Sequence, residues 1–268
     1  MFREAAAFLK KDLLTESSYR LSFVFNIFGI LVSVLSYFYI DKLFGSHVAP
    51  HLEEFGVNYF SYVLLSMAFF GYIGVGLGSF SERIRAEQTQ GTLEAVLLTP
   101  TKIRTMLLSL AVWNLVIATL DMLVYAALAV FVFNIDFSNI NPASAVIVLV
   151  LAILSFSALG IISASFIMVF KRGNPLGWIM ASLEGLIGGV YFPVTVLPAW
   201  LQIAAKFFPI TYAIRAIELA VYRGYPPARL LGEIGFLLAF SVVLLPASLA
   251  FFKFSVRKAR RDGSLGQY

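Results

Sequence analysis

The sequence predicts an all-α integral membrane protein with six transmembrane helices, in a single domain that takes in residues 1–268. Three observations carry this prediction. Of the 268 residues, 60% are apolar and the mean hydropathy is +0.86, whereas soluble domains are about 45–50% apolar. Several apolar runs reach the roughly 20 residues that a helix needs to cross a bilayer. The charged residues are only 13% of the chain, and they gather between those runs.

The first half of the chain predicts three spans. Residues 1–20 have an amphipathic pattern, with Leu9 and Leu13 on one side and Lys10 away from it. We expect them to form an interfacial helix, and a solvated leader helix is the alternative. The first span follows at 21–40; it exceeds the roughly 7–15 apolar residues of a signal peptide, so we expect it to be retained. The second and third spans are expected at 57–80 and 103–133.

The second half predicts three more spans. Asn141 and Pro142 are a capping residue followed by a proline at the first helical position, which is typical of a helix start, and the fourth span extends from there to 170. The fifth is expected at 175–193 and the sixth at 230–252. Between them, prolines punctuate two short helical patterns near 200–208 and 211–222. These are too short and too polar to cross, so residues 193–229 are predicted to form outer interfacial or re-entrant helices.

The distribution of Lys and Arg predicts the orientation. Six spans place both termini on one side of the membrane, together with the polar segment at 81–102, which we call the polar island. Of the 20 Lys and Arg residues, all but five fall on that side, so the positive-inside rule makes it cytoplasmic. This topology also accounts for the net charge of +5, and no nucleic-acid partner is expected. The five on the other side are Lys42, Lys206, Arg215, Arg223 and Arg229.

The sequence lacks the motifs for several kinds of chemistry. The chain has no cysteine, which excludes disulfides and thiolate metal sites. His47 and His51 could be a metal pair, but a zinc site needs three or four ligands, which favours two loop residues. No lysine follows a glycine, so the Gly-Lys-Ser/Thr end of a P-loop is missing. The chain is therefore not expected to be an enzyme or to bind a cofactor, and any ATP must be hydrolysed by another chain.

Two acidic residues lie deep in predicted spans. Asp121 belongs to the third span and Glu184 to the fifth, with Gly185 and Gly189 beside the latter. A carboxylate at the bilayer centre costs about 2.5–3.5 kcal/mol on insertion scales, so it should face the bundle interior, a partner or water. Two interpretations stay open: these residues line a translocation route, or they are hydrogen-bonded packing residues at a tight helix interface.

The polar island carries a specific resemblance. Glu87, then Gly91-Thr92-Leu93-Glu94, then Leu97-Leu98-Thr99-Pro100, is similar to the cytoplasmic loop of type-2 ABC exporter permeases, which are membrane subunits for drug, polysaccharide and lipid export. A second match lies after the fifth span, in the order expected of that family. It consists of Phe192, Pro193, Pro198, Trp200, Pro209 and Tyr212.

The resemblance implies a function for each segment. A coupling helix at about 83–98 would dock into an ATPase subunit, with Glu87 and Glu94 presenting carboxylates to it, and the second match would form an outer gate. It further implies two ATPase copies that bind ATP and Mg²⁺, a second permease copy in a homodimer, and a bacterial plasma membrane location. The implied coupling residues are Glu82, Arg83, Glu87, Gly91, Thr92, Leu93, Glu94, Thr99 and Pro100.

The expected substrate is an amphiphile, namely a lipid-linked glycan, polysaccharide, lipid or hydrophobic drug. Tyr and Phe residues concentrate in the outer halves of the first two spans, as interfacial anchors or as a surface for sugars or lipid tails. An alternative from another class is an ion-coupled transporter or channel that uses Asp121 and Glu184. No inverted repeat supports it, and it would leave the polar island without a purpose. A scaffold role in a membrane complex is a third interpretation.

Overall fold

The computed structural model describes residues 20–91, 103–170, 182–183 and 185–261. Every regular element in this part of the chain is helical, which confirms the all-α prediction. A π-helical turn at Leu128–Val132 continues the third helix. The helices are α1 (Arg20–Val48), α2 (Tyr59–Thr89), α3 (Ile103–Ala127), α4 (Pro142–Phe170), α5 (Ala199–Ala205), α6 (Pro209–Tyr222) and α7 (Leu231–Arg261).

Five of these helices, α1, α2, α3, α4 and α7, are long and apolar enough to cross a membrane. They correspond to the predicted first, second, third, fourth and sixth spans. The predicted fifth span, 175–193, falls largely on residues outside the described part of the chain, where only 182–183 and 185–187 are seen as helix. The expected interfacial helix at 1–20 also lies outside it, apart from Arg20. The count of six and the orientation therefore stay predictions.

The helices extend further than their apolar runs. The first ends at Val48 rather than residue 40, and the second ends at Thr89 rather than residue 80. Helical hydrogen bonds are internal, so a helix continues into polar sequence until a residue breaks it. The predicted start of α4 is confirmed, because the Ser144 backbone N–H donates to Asn141 Oδ1 at 3.1 Å with Pro142 as the first helical residue.

Helix α2 lies at the centre of the bundle. In its most apolar stretch 67% of the residues are buried, against 11% in α1 and 17% in α7. It packs against α1, α3, α4 and α6. Its Phe69 and Ile73 share a core cluster with Phe156 of α4, and all three side chains are fully buried. The end of the bundle at which α2 begins is called the α6 end. The end at which α2 stops is called the island end.

Two glycines let α2 and α4 cross closely. A Cβ atom added to Gly160 would lie 2.2 Å from the carbonyl oxygen of Gly76, and one added to Gly76 would lie 2.7 Å from Phe156 Cβ. Both contacts are with backbone or with a Cβ atom, so no flexible side chain can move aside. Small residues at a crossing let helix backbones approach in this way within membranes. The close crossing of α2 and α4 therefore depends on Gly76 and Gly160.

We expect Gly160→Ala to lower the thermal unfolding midpoint of the purified protein. The added methyl group overfills the crossing, which typically costs about 1–3 kcal/mol. The matched control is Gly74→Ala in α2, where an added Cβ would have no neighbour within 4 Å. An alanine there should leave the midpoint unchanged or raise it slightly. Equal midpoints for the two variants would show that the helices do not cross at Gly160.

Candidate functional site

The island end of α2 is continuous with the membrane-spanning part of the helix. The helix passes through the first residues of the polar island without a break and ends at Thr89. Gly91 follows with a φ of +68°, and its N–H donates to the Gln88 carbonyl at 3.0 Å. A left-handed glycine of this kind is a common helix terminator. The coupling helix implied at 83–98 is therefore not one uninterrupted helix, because its first residues are the last turns of α2.

The final turns of α2 share an apolar cluster with two other helices. Ile84 is fully buried and joins a cluster with Ile167 and Met168 from α4 and Val256 and Ala259 from α7. The last turns of three long helices therefore meet in one buried cluster at the island end. Closely packed interiors transmit strain, so we expect a displacement of the end of α2 to affect the packing of α4 and α7.

The acidic side chains of this region differ in their exposure. Glu82 is exposed, whereas Glu87 is only 6% exposed and Gln88 3%. Ile84, Glu87 and Gln88 are three and four residues apart, so they share the face of α2 that turns towards the bundle. Glu87 therefore turns towards the bundle in the single chain, whereas Glu82 faces outwards. That either carboxylate meets a partner stays a prediction.

Several predicted coupling residues are not part of this description. The side chain of Arg83 lies outside the described residues, although its backbone belongs to α2. The other members of the implied set that fall outside them are Thr92, Leu93, Glu94, Thr99 and Pro100.

Asp121 lies within the bundle region on α3 and has a partner on α1. The side-chain amide of Asn26 donates to Asp121 Oδ1 at 2.7 Å. This hydrogen bond joins two helices that otherwise contact each other little, and Asp121 stays partly exposed. The second predicted acid, Glu184, lies outside the described residues. Whether the two acids share a route or an interface therefore stays a prediction.

The glycines beside Glu184 lie close to α2 at the α6 end. The Tyr62 hydroxyl donates to the Gly189 carbonyl at 2.6 Å, and both residues are buried. Gly189 has a φ of +92°, a conformation that favours glycine. A Cβ atom added to Gly185 would lie 3.4 Å from the Tyr191 ring. Among the described residues, the contacts of Gly185 and Gly189 are therefore with other residues of the same chain.

Helix α6 is inserted among α2, α4 and α7 rather than lying on a surface. Its Glu218 is fully buried, and Ser66 Oγ of α2 donates to Glu218 Oε1 at 2.7 Å. No described atom hydrogen-bonds the other carboxyl oxygen, Oε2. A second bond joins the same two helices, since the Tyr222 hydroxyl donates to the Ser61 carbonyl at 2.8 Å. These two buried hydrogen bonds attach α6 to α2.

The buried carboxyl group predicts a pH-dependent stability. Burial raises the pKa of Glu218 well above its usual value, while the hydrogen bond from Ser66 acts in the opposite direction. Because the folded protein retains this proton longer than the unfolded chain, the free energy of unfolding falls as the pH rises above about 4.3, until the folded pKa is passed. Glu218→Gln should remove this contribution, so its unfolding midpoint should depend less on pH than that of the wild type.

Thermal unfolding in detergent between pH 5 and pH 8 measures this difference. The control is Glu53→Gln, which changes an exposed glutamate at the same end of the bundle. Its curve of midpoint against pH should run parallel to that of the wild type. If the Glu218→Gln curve is also parallel, Glu218 does not titrate in the way that its burial predicts.

A charged cluster closes the α6 end. Arg215 bridges Glu54, at 2.5 Å, and Glu233 of α7, at 2.6 Å. Arg223 donates to the backbone carbonyls of Glu53 and Glu54 at 2.6 and 3.0 Å. The basic residues of α6 thus hold the loop between α1 and α2 against the first turn of α7.

The predicted outer-gate residues all lie at this end but do not form one surface. Pro193 and Pro209 are buried, and Pro209 begins α6. Tyr212 stacks on Phe236 of α7 with ring centroids 3.9 Å apart. Trp200 of α5 is 69% exposed. Phe192 is partly buried and Pro198 is exposed. The structure therefore divides the set into residues that position α6 and an exposed group around α5.

Sequence reasoning missed Glu218 and the ionic partners of Arg215. Arg215 and Glu218 are three residues apart, and on a helix this spacing alone puts both on one side. The structure leaves Arg215 exposed and buries Glu218 completely, because α6 has neighbours on several sides. No feature of the sequence marks Ser66 as the partner, so only the packing reveals it.

Comparisons with known proteins agree with this arrangement. The family model described as ABC-2 family transporter protein matches residues 46–250, which include α2 to α6 and most of α7. The linearmycin resistance permease protein LnrN of Bacillus subtilis (strain 168) is 25% identical over 109 residues. That match covers 41% of this chain and 28% of the relative, so less than a third of the curated protein is represented.

Proposed function

Because the chain belongs to the ABC-2 transporter family, we propose that it is the membrane subunit of an ATP-driven exporter and that a separate ATPase docks at the polar island. The continuity of α2 is the observation that carries this proposal. One helix of 31 residues leads from the buried contacts with α6 to the polar island. At 1.5 Å per residue it is about 46 Å long, which exceeds the roughly 30 Å hydrocarbon core, so it reaches beyond the membrane at one end or both.

The contacts of α2 suggest how movement would pass through the chain. ATP binding would draw the two ATPases together and displace the polar island. The cluster around Ile84 would carry this displacement into α4 and α7, and the bonds from Ser66 and Ser61 would carry it to α6. Closely packed helices move as units, so a shift at one end repacks the other. The gate residues of α6 would then open or close with the ATPase.

We assign the docking contacts to the polar island. Exposed Glu82, together with Arg83 and Glu94, supplies charges that a partner groove can match, and charge complementarity fixes the orientation of such a complex. ATP and Mg²⁺ bind to the partner, in two copies. The remaining members of the set complete the docking segment in this proposal; they are Glu87, Gly91, Thr92, Leu93, Thr99 and Pro100.

We further propose that two copies of this chain form a homodimer in a bacterial plasma membrane. The apolar side chains of α1 are largely exposed in a single copy, including Phe25 at 65% and Phe28 at 62%. Lipid and a second copy would cover them. Asp121, Glu184, Gly185 and Gly189 would line the path or the helix interface beside it.

An amphiphile is the proposed substrate class. The relative LnrN is named for resistance to linearmycin, which favours a drug-like amphiphile over a polysaccharide or a lipid-linked glycan. The exposed aromatic and apolar side chains at membrane depth are compatible with such a molecule.

Reconstitution with a candidate partner ATPase tests the function. The two proteins are purified together and placed in liposomes, and amphiphile movement is measured with ATP, without ATP, and with a pH gradient alone. We expect movement only with hydrolysable ATP. Movement driven by the pH gradient without ATP would instead support the ion-coupled transporter that uses Asp121 and Glu184.

A further inference from the structure

The carboxylate of Asp121 is compensated by an amide and not by a cation. Asn26 of α1 donates to it at 2.7 Å. Arg215 pairs with Glu54 and Glu233 at the α6 end, and these ion pairs do not involve α3. Ionisable residues within membrane segments are rare, and they commonly mark the path or the site of a transported molecule.

A tyrosine lies one turn from Asp121 on the same helix. Tyr125 is four residues further along α3, on the same face, and it lies near Tyr37 and Tyr191. The rings of Tyr37 and Tyr191 are stacked, with centroids 6.0 Å apart and planes 10° from parallel. The partly exposed carboxylate of Asp121 and the Tyr125 phenol therefore share one side of α3.

An apolar cavity adjoins Tyr125. It has a volume of about 250 Å³ and lies between α2 and α3, with walls formed by Leu65, Ala68, Met122, Tyr125 and Ala126 among others, and its surface is entirely apolar. Tyr125 lines this cavity and lies one helical turn from Asp121. A negatively charged side chain therefore lies close to a space suited to hydrocarbon.

We propose that Asp121 and this cavity are the two halves of one substrate site, which takes an amphiphile with a protonated amine as its head group. The amine lies against Asp121, and the hydrocarbon chain extends past Tyr125 into the cavity between α2 and α3. A carboxylate in low dielectric favours a cation strongly and repels an anion, so anionic amphiphiles are excluded. This inference rests on the proposed function and names the substrate class of that exporter.

Binding to the intact complex tests the site. The complex of permease and ATPase is placed in phosphatidylcholine nanodiscs without ATP, and saturable binding of radiolabelled dodecylamine, dodecanol and dodecanoic acid is measured above that of empty nanodiscs. These probes share one chain length and differ in the head group. We expect the amine to bind at least tenfold more tightly than the alcohol or the acid. Comparable affinities for the amine and either other probe would overturn the proposal.

Two matched pairs of variants locate the site. Asp121→Asn should weaken amine binding at least tenfold, whereas Asp136→Asn, at an exposed loop aspartate, should not change it. Ala126→Phe should fill the cavity and weaken binding of the amine, whereas Ala127→Phe, at the exposed neighbouring position, should not. Asparagine at 121 can still accept the bond from Asn26, so the fold is preserved, and thermal unfolding checks this for each variant. Unchanged amine affinity in Asp121→Asn or in Ala126→Phe would overturn the proposed location of the substrate site.

The binding and transport experiments can fail independently, so their outcomes distinguish the substrate site from the proposed function. A complex that hydrolyses ATP and moves another amphiphile, but shows no preference for the amine, defeats only the assignment of the site. A chain that binds the amine through Asp121 but forms no complex with an ATPase supports the site and defeats the exporter proposal.

Discussion

Glu94→Arg is expected to detach the ATPase and to reduce ATP-driven export at least tenfold. The charge of the polar island changes by two units at the residue that the family resemblance places against the partner. A charge reversal at a complementary interface produces like-charge contacts that cost several kcal/mol, so the complex should no longer survive purification. The fold should persist, since α2 already ends at Thr89 and its packing at the island end does not depend on residue 94 in the described contacts.

The control for this substitution is Glu53→Arg, which makes the same charge change at an exposed position of the α6 end. Co-purification with the tagged ATPase, transport in liposomes and the thermal unfolding midpoint are measured for both variants. We expect Glu94→Arg, but not Glu53→Arg, to lose co-purification and transport. The unfolding midpoints of both variants should stay close to that of the wild type. Undiminished co-purification and transport in Glu94→Arg would argue against docking at the polar island.

A disulfide between α4 and α7 should stabilise the protein by about 4 kcal/mol, by the loop-entropy estimate for a bridge of this span. Ser155 Oγ and Ser241 Oγ lie 2.8 Å apart and are separated by 86 positions in the chain. Replacing both serines, Ser155→Cys with Ser241→Cys, places two thiols within bonding reach. The natural chain has no cysteine, so no other thiol competes for the bridge.

Thermal unfolding of the oxidised and reduced forms measures the effect, with mass spectrometry to confirm the bridge. The control pair is Ser155→Cys with Ser248→Cys; Ser248 is also buried, but its hydroxyl donates to Leu245 within α7. That pair should stay unbridged under the same oxidant. Failure of the first pair to form a bridge would show that α4 and α7 do not pack in the observed register.

Much of the fold could be predicted because a lipid environment leaves few choices for the backbone. Apolar runs of sufficient length become helices, and the cap at Asn141 and the prolines at 142 and 209 mark helix starts through local chemistry alone. The ends of α1 and α2 were less predictable, since the apolar pattern stops at the membrane boundary and the helical hydrogen bonds do not.

The candidate site was only partly predictable, because its residues act through neighbours distant in the sequence. Asp121 was recognised from its depth in an apolar run, but its partner Asn26 is 95 positions away. Glu218 was missed, because its spacing from Arg215 suggests a shared polar side, whereas α6 is enclosed and this carboxyl group meets Ser66, 152 positions away. The face of a short helix is decided by what packs around it, and periodicity does not contain that information.

By itself the sequence determined that this chain is an α-helical membrane protein with a polar island between its second and third spans, because hydropathy, charge and capping act locally. Only the tertiary structure decided what the polar island is joined to. It continues α2, which is held by α4 and α7 at one end and bonded to α6 at the other. Contacts between distant segments depend on the simultaneous packing of all helices, and no local stretch of sequence specifies them.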